Sequence, residues 1–166
     1  MVDITDMDNT ETDAAHDRAG VIAPPPLIPL TALLLSAFLQ RILPAPLLPD
    51  RYRRMVGGAL LGVAFVGGGW AVRTMRAGET PLNPEKPTTQ IVTAGPFGLS
   101  RNPIYVSFLL IVSGVAALMN SRWPVLLLPA VMTALQKGVI EREEHYLEAK
   151  FGDDYRAYKT RVRRWL

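Results

Sequence analysis

The sequence predicts an all-α integral membrane protein, with about four transmembrane helices and a C-terminal helical segment on the cytoplasmic side. Three observations carry that expectation. About half of the 166 residues (49%) are hydrophobic, and they gather in four blocks separated by segments rich in Arg, Lys, Asp and Glu. Pro and Gly cluster at the block ends, where helices start and stop. The last thirty residues turn amphipathic and highly charged, as expected of a chain that has left the membrane.

Taken in order, residues 1–22 are acidic and polar, lack the basic start and apolar core of a secretory signal, and read as a disordered tail. Residues 23–166 then form one domain. Pro24, Pro25 and Pro26 open the first apolar block, Leu27 to Leu43, which as a helix would reach about 25 Å. Pro44, Pro46 and Pro49 end it, and Arg51, Arg53 and Arg54 precede the second block, Met55 to Val72. Gly58 and Gly62 in that block form a small-xxx-small pair, which predicts close helix packing in lipid. A connection over 73–102, longer than two adjoining helices need, leads to a third helix over 104–119 with Asn102 or Ser100 as its cap. Asn120, Ser121 and Arg122 make a tight turn into a fourth helix over 123–137, with Pro129 expected to kink it. Gly152 suits a C-cap after Phe151, and Asp153 suits the cap of a last helix with Tyr155, Tyr158, Val162 and Trp165 on one face.

The net charge of +3 combines an acidic start with Arg156, Lys159, Arg161, Arg163 and Arg164 at the end. A basic end beside apolar spans fits anionic headgroups and a cytoplasmic face, and the absence of an aromatic-interleaved basic platform argues against nucleic acid. No cysteine is present, and the two histidines, His16 and His145, are far apart, so no metal site is expected. Arg51, Arg53 and Arg54 fall on the face assigned to the far side and are the exception to this orientation; a re-entrant first segment would remove the conflict.

A hairpin of helices three and four would bring two polar clusters together, Gln90 to Tyr105 at its entry and Glu141 to Tyr146 at its exit. Arg101 and helix-start amides on one wall would then face Glu143 and Glu144 on the other. That set suits a zwitterionic ligand, whose carboxylate needs Arg or amide donors and whose ammonium needs carboxylates. Charged residues at helix ends also serve as solvated anchors, and the pattern alone leaves both readings open.

The stretch VTAGPFGLSRNPIYVS, followed about forty residues on by EEHYLEAKFGDDYRAYKTRV, resembles the isoprenylcysteine carboxyl methyltransferase and phospholipid N-methyltransferase family of membrane enzymes. The resemblance covers residues 88–164, the expected cofactor-binding part. It implies S-adenosylmethionine as cofactor, a lipophilic substrate such as a prenylcysteine-like carboxylate or a lipid amine, and a site at the cytoplasmic face of the cell membrane. It further implies that Gln90, Val92, Thr93 and Gly95 line the cofactor, that Arg101, Asn102, Pro103 and Tyr105 continue the wall, and that Glu143 and Glu144 close it. Arg101 and Glu144 are the expected catalytic pair, with Glu144 as the base for an amine acceptor. Asn102 stands where the family frequently has His, and Ser107 where it frequently has Gly. Phe151, Tyr155 and Tyr158 could cover the cofactor, although aromatics at helical spacing also serve packing. A membrane NADPH-dependent reductase of the sterol type, or a non-catalytic scaffold of the same fold, are the competing readings.

Overall fold

The computed structural model describes residues 20–81 and 88–166. Most of the acidic start and the residues 82–87 of the long connection lie outside the described residues. The described chain is all-α, with two long apolar helices and two shorter ones. They are α1 (Leu27–Ile42), α2 (Asp50–Ala77), α3 (Pro103–Leu118) and α4 (Trp123–Phe151), followed by a polar helix α5 (Asp153–Arg161).

α2 has 28 residues, about 42 Å, and is longer at both ends than its apolar block. Arg51, Arg53 and Arg54 form its first turns, and residues 73–77 of the expected connection are helical. Charge ends a hydrophobic run but does not end a helix; Pro49 and Gly78 do that here.

α2 and α3 make the most extensive helix pairing. Gly57, Ala64 and Ala71, seven residues apart, are the buried stripe of α2. A Cβ at Gly57 would lie 2.6 Å from Leu118 Cγ and 2.9 Å from the Gly114 carbonyl. In lipid, where apolar transfer does not drive helices together, such close backbone approach is a main source of packing energy. The expected pair Gly58 and Gly62 meets nothing within 4 Å. Close packing by small residues holds, but one residue out of phase with the motif.

α3 and α4 form the expected hairpin, turning at Asn120 with φ 48°. The Asn120 side chain accepts the N–H groups of Leu47 and Leu48 at 2.9 and 2.8 Å, and the Trp123 indole donates to the Leu43 carbonyl at 2.8 Å. The α1–α2 linker is thereby stitched to the hairpin tip. α4 runs through Pro129 and contains a π turn, Gln136–Ile140, that the sequence pattern does not reveal. Leu135, Val139 and Ile140 are fully buried there, packed with Ile28, Ala32 and Phe108. The Ile22 N–H donates to the Gly138 carbonyl at 3.1 Å, which anchors the approach to α1.

Elsewhere the bundle's outer surface is apolar. Leu34, Phe38, Val63, Phe65, Val66, Trp70 and Leu126 are each more than half exposed, a belt suited to lipid rather than water. Gly152, at φ 55°, ends α4 as expected. Asp153 does not cap α5 but sits inside it, its carboxylate taken by Arg156 at 2.7 Å. Asn102 holds the N-cap position of α3 as expected, but its side chain makes no capping bond: Asn102 Nδ2 donates to the Arg164 carbonyl, and Ser100 Oγ accepts the Asn102 N–H. The C-terminal segment competes for both side chains.

Candidate functional site

At the end of the bundle away from the hairpin tip, α2, the loop over 88–102, α3, α4 and α5 enclose a cavity of about 380 Å³. That is the size range of small-molecule sites. Local sequence explains each wall. Pro103 starts α3 at its first helical position, where its missing N–H costs nothing; the N–H groups of Ile104 and Tyr105 that follow have no acceptor within the helix, and both residues line the cavity. Glu143, Glu144 and Leu147 line the cavity from α4, Glu143 and Leu147 on one face at i and i+4 and Glu144 about 100° round the helix. Gly95, at φ 57°, turns the loop against α2, so closely that a Cβ would lie 3.1 Å from Trp70 Nε1 and 3.2 Å from Thr74 Oγ1.

Eight of the ten residues expected to line the site do line this cavity: Gln90, Val92, Arg101, Asn102, Pro103, Tyr105, Glu143 and Glu144. Thr93 and Gly95 are exposed and outside the lining, Gly95 serving the turn just described. Tyr155 and Tyr158 are in the lining and Phe151 is not. Reading by motif missed Thr88, Met75 and Tyr146. Tyr146 stands in the same charged cluster as the two glutamates, and its hydroxyl accepts the Thr88 N–H at 3.1 Å.

The charges do not stand apart on opposite walls. Arg101 Nη2 lies 2.8 Å and Nε 3.2 Å from Glu144 Oε1, with side chains only 10% and 7% exposed. Arg101 Nη1 donates to the carbonyls of Val162 at 2.6 Å and Lys159 at 3.2 Å. From the other side Arg164 Nη2 lies 2.6 Å from Glu144 Oε2 and Nε 3.1 Å from Oε1. Burial alone would raise Glu144, but the bonds from Arg164 and Arg101 outweigh it and hold its carboxyl below the usual range.

Glu143 is in the opposite condition. The Tyr105 hydroxyl donates to its Oε1 at 2.7 Å, and no other donor reaches it among the described residues. Burial pushes it up to about 7; the Tyr105 bond lowers it and the neighbouring Glu144 charge raises it. Burial also keeps the Tyr155 and Tyr158 phenols neutral, with Tyr158 Oη donating to the Phe97 carbonyl at 2.7 Å. The cavity thus joins a carboxylate raised toward neutrality, Glu143, and an ion-paired one, Glu144, with the first turn of α3 and apolar walls from Val72, Met75, Ile104 and Phe108.

A family model described as phospholipid methyltransferase matches residues 52–154, more than half of the chain. The chain belongs to the phospholipid methyltransferase family. Members of that family are membrane methyltransferases, and the apolar helices agree with it. A 27-residue stretch is 74% identical to a protein of Haemophilus influenzae described as uncharacterized, covering 16% of this chain and 43% of that relative, so the match spans under half of the relative's length. No solved structure matches the chain.

Proposed function

We propose that the chain methylates a lipophilic acceptor, a prenylcysteine-like carboxylate or a lipid amine, with S-adenosylmethionine bound in the cavity beside Glu143. The observation that carries this reading is the cavity's mixed lining: the Glu143 carboxylate and the first turn of α3 together with apolar side chains of α2 and α3. A zwitterionic cofactor fits that donor set, its ammonium on Glu143 and its carboxylate at the Ile104 and Tyr105 amides. Bound there, it would supply an electrophilic methyl group. The chain's own work is to align acceptor and methyl and to exclude water, for which Val72, Met75, Phe108 and the neutral Tyr155 provide the walls.

In this reading Arg101 and Glu144 act by positioning. Four of Arg101's five N–H donors are committed within the chain, and Glu144, the base expected for an amine acceptor, is held ionised between two guanidinium groups. Thr93 and Gly95 would shape the loop rather than touch the cofactor. Residues 23–166 form one catalytic domain, with α1, α2, α3 and the first part of α4 as four spans and the cavity at the cytoplasmic face of the cell membrane. The exposed apolar belt and the basic C-terminal segment support that orientation.

Calorimetric titration of the chain in nanodiscs with S-adenosylmethionine, then incubation with lipid extract and mass analysis for a methyl gain, tests the proposal. Saturable binding and a methylated lipid are expected. Binding of NADPH instead, or of neither cofactor, overturns it.

A further inference from the structure

The last residues of the chain lie beyond the 52–154 that the family model matches, yet they bond to the residues that lead into α3 at the wall of the cavity. After α5 the backbone becomes extended at Val162 and returns beside the loop that starts α3. The Arg101 N–H donates to the Arg163 carbonyl at 2.9 Å. The Arg164 carbonyl accepts from Ser100 Oγ at 3.1 Å and Asn102 Nδ2 at 3.0 Å. The Trp165 indole reaches Gln136 of the π turn at 3.3 Å. Arg164 itself does not line the cavity; it bonds both oxygens of Glu144, sharing Oε1 with Arg101.

We propose that Arg164 is a positioning residue for the cofactor site: with Arg101 it fixes the Glu144 carboxylate, and so sets the charge and place of Glu143, which faces the cavity. This rests on the reading that S-adenosylmethionine binds there. Two guanidinium groups on one carboxylate use fork geometry that neither lysine nor a single arginine reproduces. The charged and titratable groups around Glu144 are Arg101 from the loop, Arg164 from the tail, Tyr155 from α5, Glu143 on α4 itself, and Glu141, which also holds Arg164 at 3.4 Å. Without Arg164, Glu144 loses one of its two guanidinium partners and becomes easier to protonate. Its charge, less compensated while it stays ionised, also favours the protonated form of Glu143. Both changes weaken the hold on a cationic ligand, and more at low pH than at high pH.

The test is calorimetric titration of S-adenosylmethionine into the full chain in nanodiscs at a pH about one unit below and one unit above 7, for the parent, Arg164→Gln, Arg164→Lys and Arg161→Gln, with thermal unfolding of each. Arg164→Gln should bind about tenfold more weakly, with the larger loss at the lower pH, Arg164→Lys should recover part of it, and Arg161→Gln should match the parent. Parent-like affinity of Arg164→Gln at both pH values overturns the proposal, and so does an equal loss at both that follows a fall in unfolding temperature. Where Arg164→Gln does not fold, Arg164→Lys decides by the same two criteria. Failure of the parent to bind counts against the proposed function instead.

Discussion

The Tyr105 hydroxyl and the Glu143 carboxylate, 2.7 Å apart, join the first turn of α3 to α4 just beyond its π turn. The bond spans the mouth of the hairpin and holds one oxygen of the carboxylate that the proposed cofactor needs.

A pH dependence follows. Glu143 is raised from its ordinary value to about 7, so folding favours its protonated form: that contribution is complete below the unfolded value and is lost as pH rises through about 7. Cofactor binding, which needs the carboxylate, should run the other way and strengthen through the same interval. Glu143→Gln should abolish both trends, and Tyr105→Phe, which removes the bond that lowers Glu143, should move the binding midpoint upward. Unfolding temperatures and titrations across about two units either side of neutrality measure the two trends separately.

Arg101→Ala and Glu144→Ala each leave a buried partner behind. A loss of about 3–5 kcal/mol is expected for breaking such a pair, so both variants should lose unfolding temperature as well as cofactor affinity. Arg101→Lys should not rescue either property, because an ammonium cannot serve Glu144 together with the Val162 and Lys159 carbonyls in one plane. Wild-type affinity in Arg101→Lys would contradict this.

Two adjacent glycines of α2 should respond in opposite directions. Gly57→Ala drives a methyl group into Leu118 and the Gly114 carbonyl, at a cost of about 1–3 kcal/mol. Gly58→Ala faces open space and should stabilise by about 0.5–1 kcal/mol through helix propensity. Thermal unfolding of both in the same detergent reads the sign directly.

Ser107, where the family frequently has glycine, faces Gly68: a Cβ there would lie 3.1 Å from its Oγ and 3.2 Å from its Cβ. Gly68→Ala should therefore destabilise the parent and be tolerated in a Ser107→Gly background. A double-mutant cycle should give a coupling of about 1 kcal/mol, and strict additivity would show that the two helices do not meet there.

Because the chain has no cysteine, single cysteines report topology cleanly. Arg51→Cys, at the hairpin-tip end, and Asp154→Cys, beside the cavity end, are both exposed and should label from opposite sides of a sealed vesicle. Labelling from the same side would remove the four-span arrangement.

The four apolar helices and the hairpin were legible because hydrophobic runs and Pro or Gly boundaries are local signals. The seam of α2 was not: Gly58 and Gly62 carry the motif, but the neighbour's position, which only tertiary structure supplies, selects Gly57, Ala64 and Ala71 instead. Arg101 and the two glutamates were legible as a converging set. Their division into an ion-paired Glu144 and a raised Glu143 was not, because burial sets the second and one partner of the first, Arg164, is twenty residues away and reached only after the chain reverses. Thr93 and Gly95 match the motif in sequence, while in the folded chain both lie outside the cavity lining and Gly95 packs its positive-φ turn against Trp70 and Thr74.

The π turn at Gln136–Ile140 gives α4 two angular settings on one axis. A single added residue rotates everything after it by about 100° relative to an unbroken α-helix. The portion from Trp123 can thus orient its leucines by the needs of its neighbours and the lipid, while Glu143 and Glu144 are aimed by a separate phase. Sequence change on the lipid-facing side can accumulate without turning the carboxylates, whereas closing the wide turn into a plain α-helical one with all five residues kept would swing both of them away from Tyr105 and Arg101 at once.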